Sequence, residues 1–162
     1  MKIYPIPMKE LKARGAILLE NVRNGFSQYS SFLAEGKPEQ LQQFLEICFL
    51  ENAEEGYADF YYSRMTQEQR EGFRAGLNPE ELQALECFAL EGTEVYYPLQ
   101  AEVLPFLADI TARGWLFSTF YFTKKPCTVW GNYDGKYPVF CKSQEEENFY
   151  RKLAEQQGLS LA

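Results

Sequence analysis

Apolar residues along this chain recur at two periods, and the helical one dominates the first two-thirds. Leu41, Phe44, Leu45, Cys48 and Phe49 follow an i, i+3, i+4, i+7, i+8 stripe, the mark of a helix that buries one face. Pro38 opens it, because the fixed φ of proline suits a first turn. Asn78-Pro79-Glu80-Glu81 is a second start: a cap residue, a proline, then two acids at the positive end of the helix dipole. Leu82, Leu85, Phe88 and Ala89 are its apolar face. Thr66 with Gln69 and Ser143 with Glu146 have capping-box spacing. The first predicts a helix to about residue 77, the second a terminal helix that turns Phe149, Tyr150 and Leu153 inward. Weaker stripes mark residues 8–22 (Leu11, Gly15, Leu18, Val22) and a short helix carrying Phe26, Tyr29, Phe32 and Leu33 before Gly36. Two more are residues 56–65, where Tyr57, Phe60 and Tyr61 share a face, and 100–113, with Val103, Leu107 and Ile110. Pro105 is tolerable only near the start of that last helix.

The period changes to two in residues 115–142, the only stretch that reads clearly as β-structure. Residues 127–131 and 136–141 are rich in β-branched and aromatic side chains and flank Asn132-Tyr133-Asp134-Gly135. Asp-Gly between alternating apolar positions signals a hairpin, and a three-residue loop of Tyr133, Asp134 and Gly135 puts glycine where a left-handed backbone is needed. That register sets Cys127, Val129 and Gly131 opposite Cys141, Val139 and Tyr137. Residues 115–123 form a third strand with aromatics on both faces, as in a strand covered on both sides. The sequence therefore predicts one α+β domain over 1–162. Its helical part spans about 8–113 and packs on a small antiparallel sheet, a three-stranded meander over about 115–142. A terminal helix over about 143–157 closes it. Residues 3–8 and 93–97 are further strand candidates.

A chain of 162 residues, 46% hydrophobic and 16% aromatic, can bury a real core. No apolar run approaches the roughly 20 residues of a membrane span. The first residues lack an apolar signal core, so the expected location is the cytoplasm. The net charge is −7, unevenly placed. Residues 35–102 carry fifteen acids and four bases, a local net of −11, whereas the flanking parts are slightly positive. That middle opposes nucleic acid phosphates and anionic lipid and leaves a basic protein as the natural partner.

Histidine is absent from the chain, which excludes Ser-His-Asp and Cys-His catalysis and any histidine metal ligand from it. Cys48, Cys87, Cys127 and Cys141 lack the paired spacing of a zinc site, and the glycines of residues 131–135 lie between strands rather than before a helix. No cofactor or metal is expected. Cys127 and Cys141 come out directly opposite, a geometry a cross-strand disulfide could use, although a reducing compartment leaves them as thiols. Adjacent acids such as Glu54/Glu55 and Glu80/Glu81 read as helix-end charge and solvated faces.

Two acidic-aromatic clusters remain. Glu54, Glu55, Tyr57, Asp59, Tyr61 and Tyr62 form one, and Glu94, Tyr96 and Tyr97 the other. Tyrosine offers contact area at low entropic cost, and neighbouring acids select a basic partner. The Tyr96-Tyr97-Pro98 triplet is similar to one in colicin-nuclease immunity proteins, a three-residue likeness that assigns no family. The expected function is a non-enzymatic protein-binding module, inhibitor-like, immunity-like or adaptor, that uses this surface. The alternatives are a small carboxylate-dependent enzyme and a homo-oligomer paired through a sheet edge or aromatic surface.

Overall fold

Side-chain caps start the helices where the sequence places them. In a computed structural model, which describes residues 2–131 and 134–162, Thr66, Asn78 and Ser143 each accept a hydrogen bond from the backbone amide three residues on, at 3.2, 2.8 and 3.2 Å. Gln69 and Glu81 reach back to the amides of Thr66 and Asn78, completing two capping boxes. These caps open α4 (Gln67–Ala75), α5 (Pro79–Glu86) and α7 (Gln144–Gln156). α3 (Pro38–Glu51) begins at its proline, and α6 (Leu104–Ala112) carries Pro105 in its first turn. The 8–22 stripe yields only α1 (Met8–Ala13), because the chain turns at Gly15 with φ +98°. α2 (Val22–Gln28) then starts afresh at Asn21, whose side chain accepts from the Asn24 amide.

The three-stranded meander is too small a sheet. Among the described residues the sheet has seven antiparallel strands in the order β3-β2-β4-β5-β6-β1-β7. The expected meander is its centre: β4 (Thr119–Phe122), β5 (Cys127–Trp130) and β6 (Lys136–Cys141). Residues read as helix supply β1 (Ser30–Glu35) and β2 (Gly56–Asp59), the latter followed by a 3-10 turn at Tyr61–Arg64. β3 (Tyr96–Pro98) and β7 (Ser160–Leu161) complete it. The hairpin register is as expected at Cys127↔Cys141 and Val129↔Val139. The pairing stops there: Gly131 gives its amide to the Ser118 carbonyl instead, and a Cβ on it would collide with that oxygen. The expected loop positions Asn132 and Tyr133 lie outside the described residues.

The two faces of the sheet are covered unlike each other. Phe32, Phe120, Phe122, Val129 and Val139 enter one apolar core with Phe44, Leu45, Leu107 and Tyr150 from the helices. Each large side chain removed from water there contributes about 2–3 kcal/mol. The opposite face presents Tyr57, Asp59, Tyr121, Thr128 and Phe140, and the N-terminal part of the chain lies over it. Leu11 and Ala16 pack on Tyr57 and Tyr121. The Thr128 hydroxyl donates to the Ile17 carbonyl at 2.7 Å, and Gly25 lets α2 approach the Phe140 ring. The same segment protects the edge strand, since the Ile6 amide donates to the Tyr96 carbonyl at 2.7 Å.

One buried side chain joins three parts of this assembly. Asn52, fully buried after α3, donates to the Cys48 carbonyl and the Tyr150 hydroxyl at 2.8 and 2.9 Å. Its carbonyl oxygen accepts from the Lys125 amide at 2.7 Å, while the Tyr150 hydroxyl donates to the Lys125 carbonyl. Ala53 and Glu54 follow with φ of 53° and 62°, left-handed positions that Asn52 helps to hold by accepting from the Glu55 amide through its backbone. Asn52→Leu strands buried polar groups on α7 and on the β4–β5 turn. Urea unfolding is expected to show a loss of about 2–4 kcal/mol; a loss of less than about 1 kcal/mol would show that the network is dispensable.

Candidate functional site

Pairing of β2 with β3 brings the two acidic-aromatic clusters together, with Asp59 opposite Tyr96 and Tyr57 opposite Pro98. Strand alternation then separates the side chains. Tyr97 and Tyr62, 1% and 3% exposed, turn into the helical core, where Tyr97 donates to the Ala89 carbonyl at 2.8 Å. Tyr57 and Tyr96, 6% and 9% exposed, lie on the other face beneath the N-terminal segment. Tyr61 is half-buried; Glu54, Glu55 and Glu94 are exposed. The tyrosine contact surface read from the sequence is therefore largely interior: four of its five rings are core.

What the pairing does build is a carboxyl among tyrosines. β2 and β4 run in register only to Ala58↔Phe120. Where they part, the Thr119 amide donates to Asp59 Oδ1 at 2.8 Å, and the Ser118 hydroxyl donates to the Asp59 carbonyl at 2.7 Å. Asp59 thus continues the ladder with its side chain. The Tyr121 hydroxyl stands 3.5 Å from Oδ2, and Tyr61 and Tyr96 lie close enough to feel the Asp59 charge. Burial pushes the Asp59 carboxyl up to about 7, against the Thr119 and Tyr121 hydrogen bonds that favour its charge. Burial likewise lifts Tyr61 to about 12 and raises Tyr96 and Tyr121, with the Asp59 charge adding to each.

Tyr96 and Tyr121 also form part of a groove of about 500 Å³ between the sheet and the N-terminal segment. Met8, Leu18 and Leu19 make its apolar walls, and Lys12, Glu20 and Tyr29 complete it. No local pattern signals this hollow, because it needs the chain reversal at Gly15.

A second groove, about 480 Å³, lies on the helical side and is lined by Asn78, Glu80, Glu81, Glu102, Pro105 and Asp109 among others. Arg113 Nη2 bridges Glu81 and Asp109, at 2.7 Å from each. Burial alone would raise Glu81, but hydrogen bonds from Asp109 and the Asn78 amide, together with Arg113, hold it below its ordinary value. Asp109 is raised, first by burial and then by its hydrogen bond to Glu81. The adjacent Glu80/Glu81 pair, read as helix-end charge, is thus also half of an acidic wall. Only α5 packed near α6 reveals this.

Cys127 and Cys141 face each other across β5 and β6 as free, fully buried thiols, with Cys48 also buried nearby. Burial pushes Cys127 and Cys48 up, which keeps them as unreactive thiols. Among the described residues, no three or more Cys, Asp or Glu side chains are placed to hold a metal ion, and no helix is long and apolar enough to cross a membrane.

Asp59 makes stability depend on pH. An ordinary aspartate is deprotonated in the unfolded chain above about pH 4, whereas the folded chain holds this proton to about pH 7. Stability from this group is full below about pH 4 and is lost as pH rises towards 7, by on the order of 3–4 kcal/mol. Asp59→Asn keeps an acceptor for the Thr119 amide and carries no charge. It is expected to be more stable than the parent at pH 8, by about 1–3 kcal/mol, with a flatter profile between pH 4 and 7. Parallel profiles for the two proteins in chemical denaturation would contradict this. Compared with protein-family models, curated proteins and solved structures, the chain matches none.

Proposed function

We propose that the protein is a non-enzymatic binding module for a basic protein, and that its acidic helical groove, rather than a tyrosine surface, receives the partner. The observation that carries this reading is the convergence of Glu80, Glu81, Glu102 and Asp109 on one groove. The base beside them, Arg113, is already bridged to two of the four. A concave acidic surface raises the association rate of a cationic partner and disfavours phosphate backbones and anionic lipid. Next to it Glu46 and Glu54 flank Leu50, which is 63% exposed, in a shallow hollow between α3 and the start of α6. Acids around an apolar contact suit a cationic, amphipathic segment of a partner, as an inhibitor or an adaptor would engage it. A cytoplasmic location accords with four cysteines held as free thiols.

A second reading, a small carboxylate-dependent enzyme, is favoured by Asp59: a carboxyl lifted to about 7 and in contact with Tyr121, which lines a groove.

The binding reading is tested by NMR titration of the full chain with a lysine- and arginine-rich amphipathic peptide at low salt. Shifts are expected to concentrate on Glu80, Glu102 and Asp109, and Glu80→Lys with Glu102→Lys should weaken binding by roughly tenfold or more. Glu68→Lys with Glu145→Lys, at exposed positions elsewhere, should have little effect. Equal losses from both pairs would reduce the attraction to net charge and remove the groove from the account.

A further inference from the structure

The groove under the N-terminal segment is built differently from the acidic one. Its Tyr96 and Tyr121 rings are held edge to face, with centroids 5.9 Å apart. The Tyr121 hydroxyl turns to Asp59 Oδ2, so this residue offers the groove ring surface rather than a free hydroxyl. Met8, Leu18 and Leu19 extend that apolar surface. Two charges of opposite sign complete the lining, Lys12 and Glu20. Both are exposed, and neither side chain makes an ion pair or hydrogen bond among the described residues. Apolar walls with a few polar groups and a volume near 500 Å³ are the makings of a small-molecule site.

We propose that this groove binds a small zwitterion with an aromatic body, of the class of aromatic α-amino acids, its ring against Tyr96 and Tyr121, its ammonium towards Glu20 and its carboxylate towards Lys12. The charges exclude the neighbouring classes. A ligand with only an amine would leave Lys12 to be desolvated without a partner, and one with only a carboxylate would leave Glu20 so. A phosphate ester would meet one lysine and one acid, Lys12 and Glu20, too little positive charge for a dianion. A purely apolar ligand would dry both charges for nothing. Asp59 reports on occupancy, because a ligand that excludes water from the tyrosine floor deepens its burial and raises its titration midpoint. The inference rests on this groove alone and stands apart from the acidic helical face.

The test is NMR titration of the full chain with phenylalanine, with phenethylamine, which lacks the carboxylate, and with hydrocinnamate, which lacks the amine. Saturable shifts are expected at Tyr29, Tyr96 and Tyr121, with phenylalanine the tightest of the three. Lys12→Ala should weaken phenylalanine and hydrocinnamate by roughly threefold or more and leave phenethylamine unchanged or improved. Glu20→Gln should do the converse. Both positions are exposed, so the variants are expected to fold. The proposal is overturned by no saturable shift for any probe at millimolar concentration, by phenethylamine or hydrocinnamate binding as tightly as phenylalanine, or by binding insensitive to both substitutions. Any of those outcomes leaves the acidic groove as it was.

Discussion

The hydrogen bond from the Thr119 amide to the Asp59 carboxylate, 2.8 Å long, stands where the pairing of β2 with β4 gives out. Much of one side of the molecule hangs on that junction. β2 connects β3 to the rest of the sheet, and β3 carries the N-terminal segment through the Ile6 amide. With both sheet faces covered, little water reaches the parting strands, where Thr119 is 8% and Asp59 6% exposed, and a side chain satisfies the Thr119 amide. The carboxylate that does so is desolvated in turn, which explains its raised affinity for a proton. One local requirement of the backbone thus produces a carboxyl that holds its proton far above the ordinary range and fixes Tyr121 beside it.

The same layering divides the functional possibilities. On the helical side, apolar side chains from α3, α6 and α7 fill the interior against the sheet, and the acids of α5 and α6 lie at its outer margin, Glu80 exposed, Asp109 half-buried and Glu81 buried. Their acids line one groove, where Arg113 bridges Glu81 of α5 and Asp109 of α6 and neutralises only part of the wall. On the other side the cover is thin: a six-residue helix, a turn at Gly15 and α2. A thin cover over tyrosines leaves a hollow that reaches the sheet itself, at Tyr96 and Tyr121. Charge on one side and a small amphipathic groove on the other therefore follow from what covers each face.

Legibility in the sequence follows the range of the interactions. Thr66, Asn78 and Ser143 cap their helices through contacts three residues away, and the apolar stripe of α3 repeats within single turns, so both could be read directly. The register of β5 with β6 was likewise set by local alternation around a turn. β2 reads as helix because its four residues are buried on both faces and leave no period of two. β1, by contrast, buries only Phe32 and Ala34, too short an alternation to outweigh the helical spacing of Phe26, Tyr29, Phe32 and Leu33. β1 gains its strand character from pairing with β6, more than a hundred residues on, and no local signal carries that. The two acidic-aromatic stretches lie on and around β2 and β3, which pair. Alternation within the strands, which the helical reading of residues 56–65 hid, is what sends Tyr57 and Tyr96 to one face and Tyr97 to the other.

The central claim is that Asp59 is a buried structural carboxyl holding the end of β2 to β4. Carbon NMR of its side-chain carboxyl across a pH titration tests that most directly. The account predicts a midpoint near 7, moving with the chemical shift of the Thr119 amide. A midpoint in the ordinary carboxylate range, about 4, with the Thr119 amide indifferent to it, would mean that water reaches the junction and that the claim is wrong.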